Sequence, residues 1–323
     1  MDISLWKLIA LVEALAPFVQ AANLVKVTEA FGPNPTNAGF YIYVPDKLAA
    51  SPPVLVNPHA CHGDALGNFR YSEFPRSADK YGFIVIYPSS PHSSGCWDVS
   101  SPGTLSHNGT GGSGDSQGIV SMVRWTLNKY KGDSKRVFSM GVSSGAMMTN
   151  VLLGAYPDLF VAGSAWAGVP FGCFSAPRNV AYKQTIEYWN GDCAAGKVTH
   201  TAAEWKAMVQ SAYPTYTGWR PKLQFFHGTA DETLNYRNFA ELVKQWTAVL
   251  GLDPTATKTT LNFLTPNWTR YTYGSQDWLW ATSAGGVPHN IQANAAEALR
   301  WFDLTCTGAN CFQWGKGGPM TQG

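Results

Sequence analysis

The residues of this sequence best suited to covalent chemistry lie in Gly141-Val142-Ser143-Ser144-Gly145. A serine hydroxyl is a poor nucleophile until a base takes its proton and an acid orients that base. The Gly-x-Ser-x-Gly spacing suits a sharp strand-to-helix turn, in which glycines leave room for close packing and the serine stands at the N-terminus of the helix. In a chain with 32 glycines the pentapeptide arises easily by chance, so its setting carries the weight. The apolar run Val137–Met140 precedes it and the helix-like stretch Ala146–Leu153 follows, which is the required strand, turn and helix.

Two partners for Ser143 must come from farther along the chain, acid first and histidine second. Asp231 closes His227-Gly228-Thr229-Ala230-Asp231 directly after the apolar run Leu223–Phe226, which puts it on a loop at the carboxyl edge of a sheet. Asp192 and Glu232 are alternative acids that follow a strand less directly, and Asp231 itself has the simpler reading of a loop or helix cap. For the base, His289 lies in Gly285-Gly286-Val287-Pro288-His289-Asn290, a turn before the last helical stretch. The other downstream histidines are His227, which reads as a structural residue behind the acid loop, and His200, which reads as solvated.

A carbonyl attacked by serine becomes an oxyanion that needs two preorganised N–H donors. The residue after the nucleophile, Ser144, supplies one, and the loop after an earlier strand supplies the other. Val54–Asn57 runs into Pro58-His59-Ala60-Cys61-His62-Gly63, so the backbone N–H of Cys61 is the expected second donor. His59, Cys61 and His62 also raise a metal cluster, but ligands this close in sequence rarely all point at one ion, so no metal is expected.

These residues need a frame. Val25–Ala30 and Phe40–Val44 read as strands around the turn Gly32–Gly39, and thus as an antiparallel pair. Val54–Asn57, Phe83–Tyr87, Arg136–Gly141, Val161–Trp166 and Leu223–His227 are short apolar runs. They alternate with helical stretches at Gln117–Tyr130, Ser144–Tyr156, Tyr236–Leu250 and Ile291–Phe302. The alternation predicts an α/β three-layer sandwich with a mostly parallel central sheet and antiparallel N-terminal strands. With the serine turn, that is the pattern of an α/β-hydrolase. The Gly- and Ser-rich stretch Ser89–Ser116 is too long for a plain connector and is expected to shape a surface site.

With 45% hydrophobic and 14% charged residues, the 323-residue chain has material for one large core. A net charge of +2 and the lack of a Lys/Arg run exclude a nucleic-acid footprint. Thirteen Trp and fourteen Tyr exceed ordinary core needs, and flat rings of this kind stack on sugars or aromatic acids. Residues 1–22 carry Lys7, an apolar run from Leu8 to Ala16, and small residues before Ala22, and read as a secretory signal despite Glu13. No later run is long enough to span a membrane.

Cys61, Cys96, Cys173, Cys193, Cys306 and Cys311 predict three disulfides in an oxidising compartment; six cysteines allow 15 pairings that the sequence does not rank, and the pairing taken as the expectation joins neighbours, 61 with 96, 173 with 193 and 306 with 311. Asn108-Gly109-Thr110 and Asn267-Trp268-Thr269 are glycosylation sequons. The expected organisation is a signal over 1–22, a catalytic domain over 23–304, and a tail over 305–323 with a short cysteine loop.

Several longer motifs add a resemblance. Phe31-Gly32-Pro33-Asn34-Pro35-Thr36-Asn37, Tyr41–Pro45, Tyr81–Pro88, Gly95-Cys96-Trp97-Asp98-Val99 and Gly141–Met148 resemble the fungal acetyl xylan and feruloyl esterases of carbohydrate esterase family one, over nearly all of the chain after the signal. The resemblance implies a secreted, cofactor-free serine esterase acting on acetyl or feruloyl groups of plant cell-wall xylan, with a triad falling on Ser143, His289 and Asp231. It implies that Trp97 and Trp189 border the substrate cleft, the plainer alternative being that they brace disulfides. A monomer is expected, with a polyester depolymerase and a non-catalytic wall-binding protein as competing readings. The loop His59-Ala60-Cys61-His62-Gly63 departs from the family's His-aromatic-Cys-Thr-Gly pattern beside the expected oxyanion site.

Overall fold

A computed structural model describes residues 23–112, 114–175, 189–306, 308 and 310–315, so the expected signal over 1–22 lies outside the described residues. Ten strands form one sheet: β1 (Val25–Lys26), β2 (Gly39–Tyr43), β3 (Val54–Val56), β4 (Ile84–Ser89), β5 (Val137–Val142), β6 (Ala162–Trp166), β7 (Lys222–Gly228), β8 (Lys258–Leu261), β9 (Trp268–Tyr273) and β10 (Leu279–Ala284). Their spatial order is β1-β2-β4-β3-β5-β6-β7-β10-β9-β8. The six strands from β4 to β10 pair in parallel, while β1 and β2 at one edge and β9 and β8 at the other are antiparallel. This is the predicted α/β architecture, with one more antiparallel edge than expected.

The central strands are buried from end to end, which explains why they read as apolar runs without alternation. Side chains on β5 show that both sheet faces are covered. Phe138 stacks on Phe302 of the helix α8 (Ala295–Phe302), its ring 4.9 Å away. The next residue, Ser139, hydrogen-bonds Thr149 of the helix α4 (Ser144–Ala155) at 2.9 Å. Adjacent residues of a strand point to opposite faces, so α4 and α8 lie on opposite sides of the sheet. Much of the aromatic excess goes into this core: Trp97, Trp166, Trp205, Trp219, Trp246 and Trp301 are all fully buried.

Two regions differ from the sequence reading. Strands β8, β9 and β10 fall in a stretch left unassigned between the helix at residues 237–250 and the last helix. The reason is visible in β8 and β9, which apart from Tyr273 are exposed or half-buried and mix polar residues with their few apolar ones, so they carry no strong apolar run. The last helix begins at Ala295 instead of Ile291, because the Asn294 side chain accepts the N–H of Glu297 at 2.9 Å and caps it there. Beyond it, Trp314 packs near Trp219 and donates its backbone N–H to Lys135 O at 2.8 Å, tying the described part of the tail to the sheet unit.

Candidate active site

The turn between β5 and α4 is strained at one residue. Ser143 has φ 53° and ψ −119°, a conformation costly for any residue with a side chain, with a typical cost of about 1–3 kcal/mol. Its neighbours show why glycine flanks it. A Cβ on Gly141 would lie 2.3 Å from the Gly145 carbonyl carbon, and one on Gly145 would lie 2.1 Å from Pro58 O. The turn therefore closes only on glycine, and it is held by Ser143 N–H donating to Trp166 O at 2.8 Å.

The other two groups arrive from adjacent strands. β7 and β10 are parallel with Gly228 opposite Ala284, so the loops that leave them start side by side. Thr229 N–H donates to Ala284 O at 2.9 Å, Ala230 N–H to Val287 O at 3.1 Å, and Gly286 N–H to Thr229 Oγ1 at 2.8 Å. Stitched together in this way, the loops place His289 Nδ1 3.0 and 2.9 Å from the two Asp231 carboxylate oxygens. The far nitrogen of the same ring, Nε2, lies 2.9 Å from Ser143 Oγ.

Asp231 is set up to stay ionised. Burial raises its pKa, but hydrogen bonds from His227 and His289 and from the Leu234 N–H outweigh it, and the carboxyl is held well below the ordinary carboxylate range. Leu234 N–H donates to Oδ1 at 2.7 Å and Thr233 N–H at 3.0 Å. His227 is fully buried, with Nε2 2.7 Å from Leu234 O and 3.3 Å from Asp231 Oδ2. A carbonyl only accepts, so that nitrogen carries the proton and His227 braces the acid loop.

The remaining alternatives fall elsewhere. Glu232 does not face the ring; its carboxylate accepts the backbone N–H of His289 at 3.1 Å and so holds the histidine loop, a role that residue type and spacing gave no hint of. Asp192 pairs with Lys197 at 3.6 Å, and His200 lies 3.8 Å from Glu204 against Trp205.

On the other side of the serine, the loop after β3 packs into the turn, with Pro58 O and His59 O facing Gly145. A disulfide joins Cys61 to Cys96, and the other two join Cys173 to Cys193 and Cys306 to Cys311. Among the described residues neither the Cys61 nor the Ser144 backbone N–H is taken by an acceptor. The metal reading of this loop fails on chemistry, since Cys61 has no thiolate. His59 Nε2 accepts the Ser90 N–H at 3.0 Å and its Nδ1 faces Ala60 O at 2.7 Å, while burial lowers its pKa and keeps it neutral.

Trp97 requires a correction. It was expected to border the cleft, but it is only 1% exposed. Its indole N–H donates to His59 O at 2.9 Å and its backbone N–H to Ser144 Oγ at 2.8 Å. It stiffens the loop from inside instead of facing substrate. Trp189 is half-buried, with Phe174 edge-on at 5.3 Å.

A serine, a histidine and a buried carboxylate in hydrogen-bonded line can carry out acyl transfer. Over 285 residues the chain is 46% identical to acetylxylan esterase A of Emericella nidulans, covering 88% of this chain and 90% of the relative. Over 290 residues it is 46% identical to feruloyl esterase B of Thermothelomyces thermophilus, covering 90% and 96%. The chain belongs to the family of acetylxylan and feruloyl esterases. This esterase is a carboxylic ester hydrolase of the α/β-hydrolase fold. The solved structure of an acetyl xylan esterase from Aspergillus awamori superposes with a TM-score of 0.81 at 43% identity, over 87% of this chain and 99% of that one. Residues 39–182 of the esterase also match the family model described as esterase PHB depolymerase.

Proposed function

We propose that this esterase removes acetyl groups from xylan through an acyl intermediate on Ser143. The observation that carries the reading is the continuous line from Ser143 Oγ through the His289 ring to Asp231, at 2.9 Å on each side of the ring. His289 Nε2 takes the proton of Ser143 as Oγ bonds to the ester carbon, and the carbonyl electron pair moves onto oxygen. The backbone N–H groups of Cys61 and Ser144 hold that oxyanion. When it collapses, the C–O bond to the sugar breaks and the departing oxygen takes the proton from His289. Water, deprotonated by His289, then attacks the acyl carbon; as the bond to Oγ breaks, Ser143 takes the proton back from His289 and acetate is released. Asp231 keeps the proton of the resting imidazole on Nδ1. No cofactor or metal is required by these steps.

The acetyl reading is supported by the acetyl xylan esterases among the relatives, and the feruloyl esterase at equal identity sets the comparison to make. Acetate release from acetylated xylan is expected to exceed ferulate release from a feruloylated arabinoxylan fragment. Ferulate alone would overturn the acyl assignment, and neither product would overturn the substrate class.

Secretion is part of the same proposal. It is supported by the signal-like residues 1–22 and the three disulfides, and no helix among the described residues is long and apolar enough to cross a membrane. Asn108 and Asn267, both exposed, are the glycosylation sites this implies. A monomeric catalytic domain over 23–304, with the short tail following, completes the reading. Trp189 remains the candidate cleft-bordering aromatic.

A further inference from the structure

We propose that Tyr71 is a stacking platform for a xylopyranose ring of the polysaccharide chain, next to the residue being deacylated. This rests on the xylan reading above. Tyr71 ends the helix α1 (Ala65–Tyr71) and is 91% exposed, more than any other large apolar or aromatic side chain among the described residues. Most aromatic rings of this chain are packed away, so one left fully in water needs its location explained.

Its location is shared by two hollows. One, of about 320 Å³, is walled by Val142 and Asn290, the chain neighbours of Ser143 and His289, together with Asn68 and Tyr71. The other, of about 410 Å³, is walled by His59, Ala60, His62 and Gly63 of the loop assigned to the oxyanion, and again by Asn68 and Tyr71. Tyr71 and Asn68 thus line both hollows, one of which reaches the chain neighbours of Ser143 and His289 and the other the loop after β3. A polysaccharide chain with one residue at Ser143 extends its neighbouring residues over the surface around the site, where these hollows lie close by in sequence and fold.

The helix that carries both residues is anchored, and their chemistry suits a sugar. Phe69 of the same helix packs against the rings of Tyr43 and Tyr87, each 5.6 Å away, and Ser72 Oγ lies 3.0 Å from the Tyr87 hydroxyl. Asn68 lies three residues before Tyr71, on the same helix face. Its Nδ2 donates to Asn57 O at 2.7 Å and Asn57 Oδ1 at 3.1 Å, which fixes the amide. Its Oδ1 takes no hydrogen bond among the described residues, leaving an acceptor beside the ring. An exposed aromatic face on an anchored helix, next to a fixed amide acceptor, matches a pyranose, which offers C–H groups on its face and hydroxyls at its rim. Because the helix that carries the ring is already packed against Tyr43 and Tyr87, no backbone has to be ordered when the sugar docks.

The test compares wild type with Tyr71→Ala and Tyr71→Trp, with Leu261→Ala, exposed on β8, as a control for surface truncation. The ratio of kcat/KM on an acetylated xylo-oligosaccharide to that on 4-nitrophenyl acetate is expected to fall about tenfold in Tyr71→Ala, through KM, and to stay near wild type in Tyr71→Trp. Calorimetric titration with unsubstituted xylohexaose reads the platform without any ester chemistry. Weaker binding by Tyr71→Ala than by wild type supports the proposal, even if wild type releases no acetate from xylan, an outcome that would overturn the functional reading alone. Equal binding by the two proteins, or no binding by wild type, overturns the platform and leaves the esterase assignment standing.

Discussion

The backbone N–H of Trp97 donates to Ser144 Oγ at 2.8 Å, so the side chain of the residue after Ser143 is fixed by a residue 47 positions away. The same tryptophan holds His59 O through its indole nitrogen at 2.9 Å. One buried residue, by its backbone on one side and its indole on the other, therefore ties together the two segments proposed to supply the oxyanion donors.

Replacing Trp97 by Phe keeps most of the packing but removes the indole N–H, leaving the His59 carbonyl unpaired in a buried place. The loop carrying Cys61 N–H should relax, and kcat is expected to fall about tenfold or more with KM little changed. A thermal melt alongside the kinetics separates this from loss of fold. Unchanged kcat would show that the bond does not position the loop.

Ser143→Ala and His289→Ala should each abolish nearly all ester hydrolysis, on the order of 10⁴-fold or more, because triad members act as a unit. An organofluorophosphonate should label wild type stoichiometrically at Ser143 and leave Ser143→Ala unlabelled, as read by peptide mass spectrometry. Undiminished turnover by either variant would refute the assignment.

Asp231→Asn should reduce kcat by on the order of 10⁴, since the amide leaves the imidazole in the wrong tautomer. It should also change acid stability. The carboxyl of Asp231 has a folded pKa held below its ordinary value of 3.8, so its stabilisation is fully present above that value and is lost as pH falls towards the folded pKa. The melting temperatures of wild type and variant are expected to differ most near neutrality and to converge as pH drops below 3.8.

Gly145→Ala would press a methyl group to 2.1 Å from Pro58 O, a backbone atom that moves only with the loop. A loss of about 2 kcal/mol or more and severe loss of activity are expected together, by denaturant titration and ester assay. A variant of wild-type stability and activity would mean that the turn and the loop after β3 are not in the contact described.

The sequence alone pointed to ester hydrolysis and nominated a serine, an acid and a histidine for it in chain order. Ser143 was legible because a strained turn tolerates only glycine at 141 and 145, and that requirement is written in residue types. The central strands were legible because complete burial leaves unbroken apolar runs, and the polar edge strands β8 and β9 were missed because they lack them. Residue type could also nominate Asp231 and His289, each on a loop where this fold places an acid and a base. Only the tertiary structure decided what surrounds them. That Glu232 grips the His289 backbone, that His227 braces Asp231, and that Trp97 is an internal strut depends on contacts between segments far apart in the chain. Such contacts are set by how β7 registers with β10 and how the loop after β3 folds onto α4, and neither leaves a periodic or compositional trace in the residues that make them.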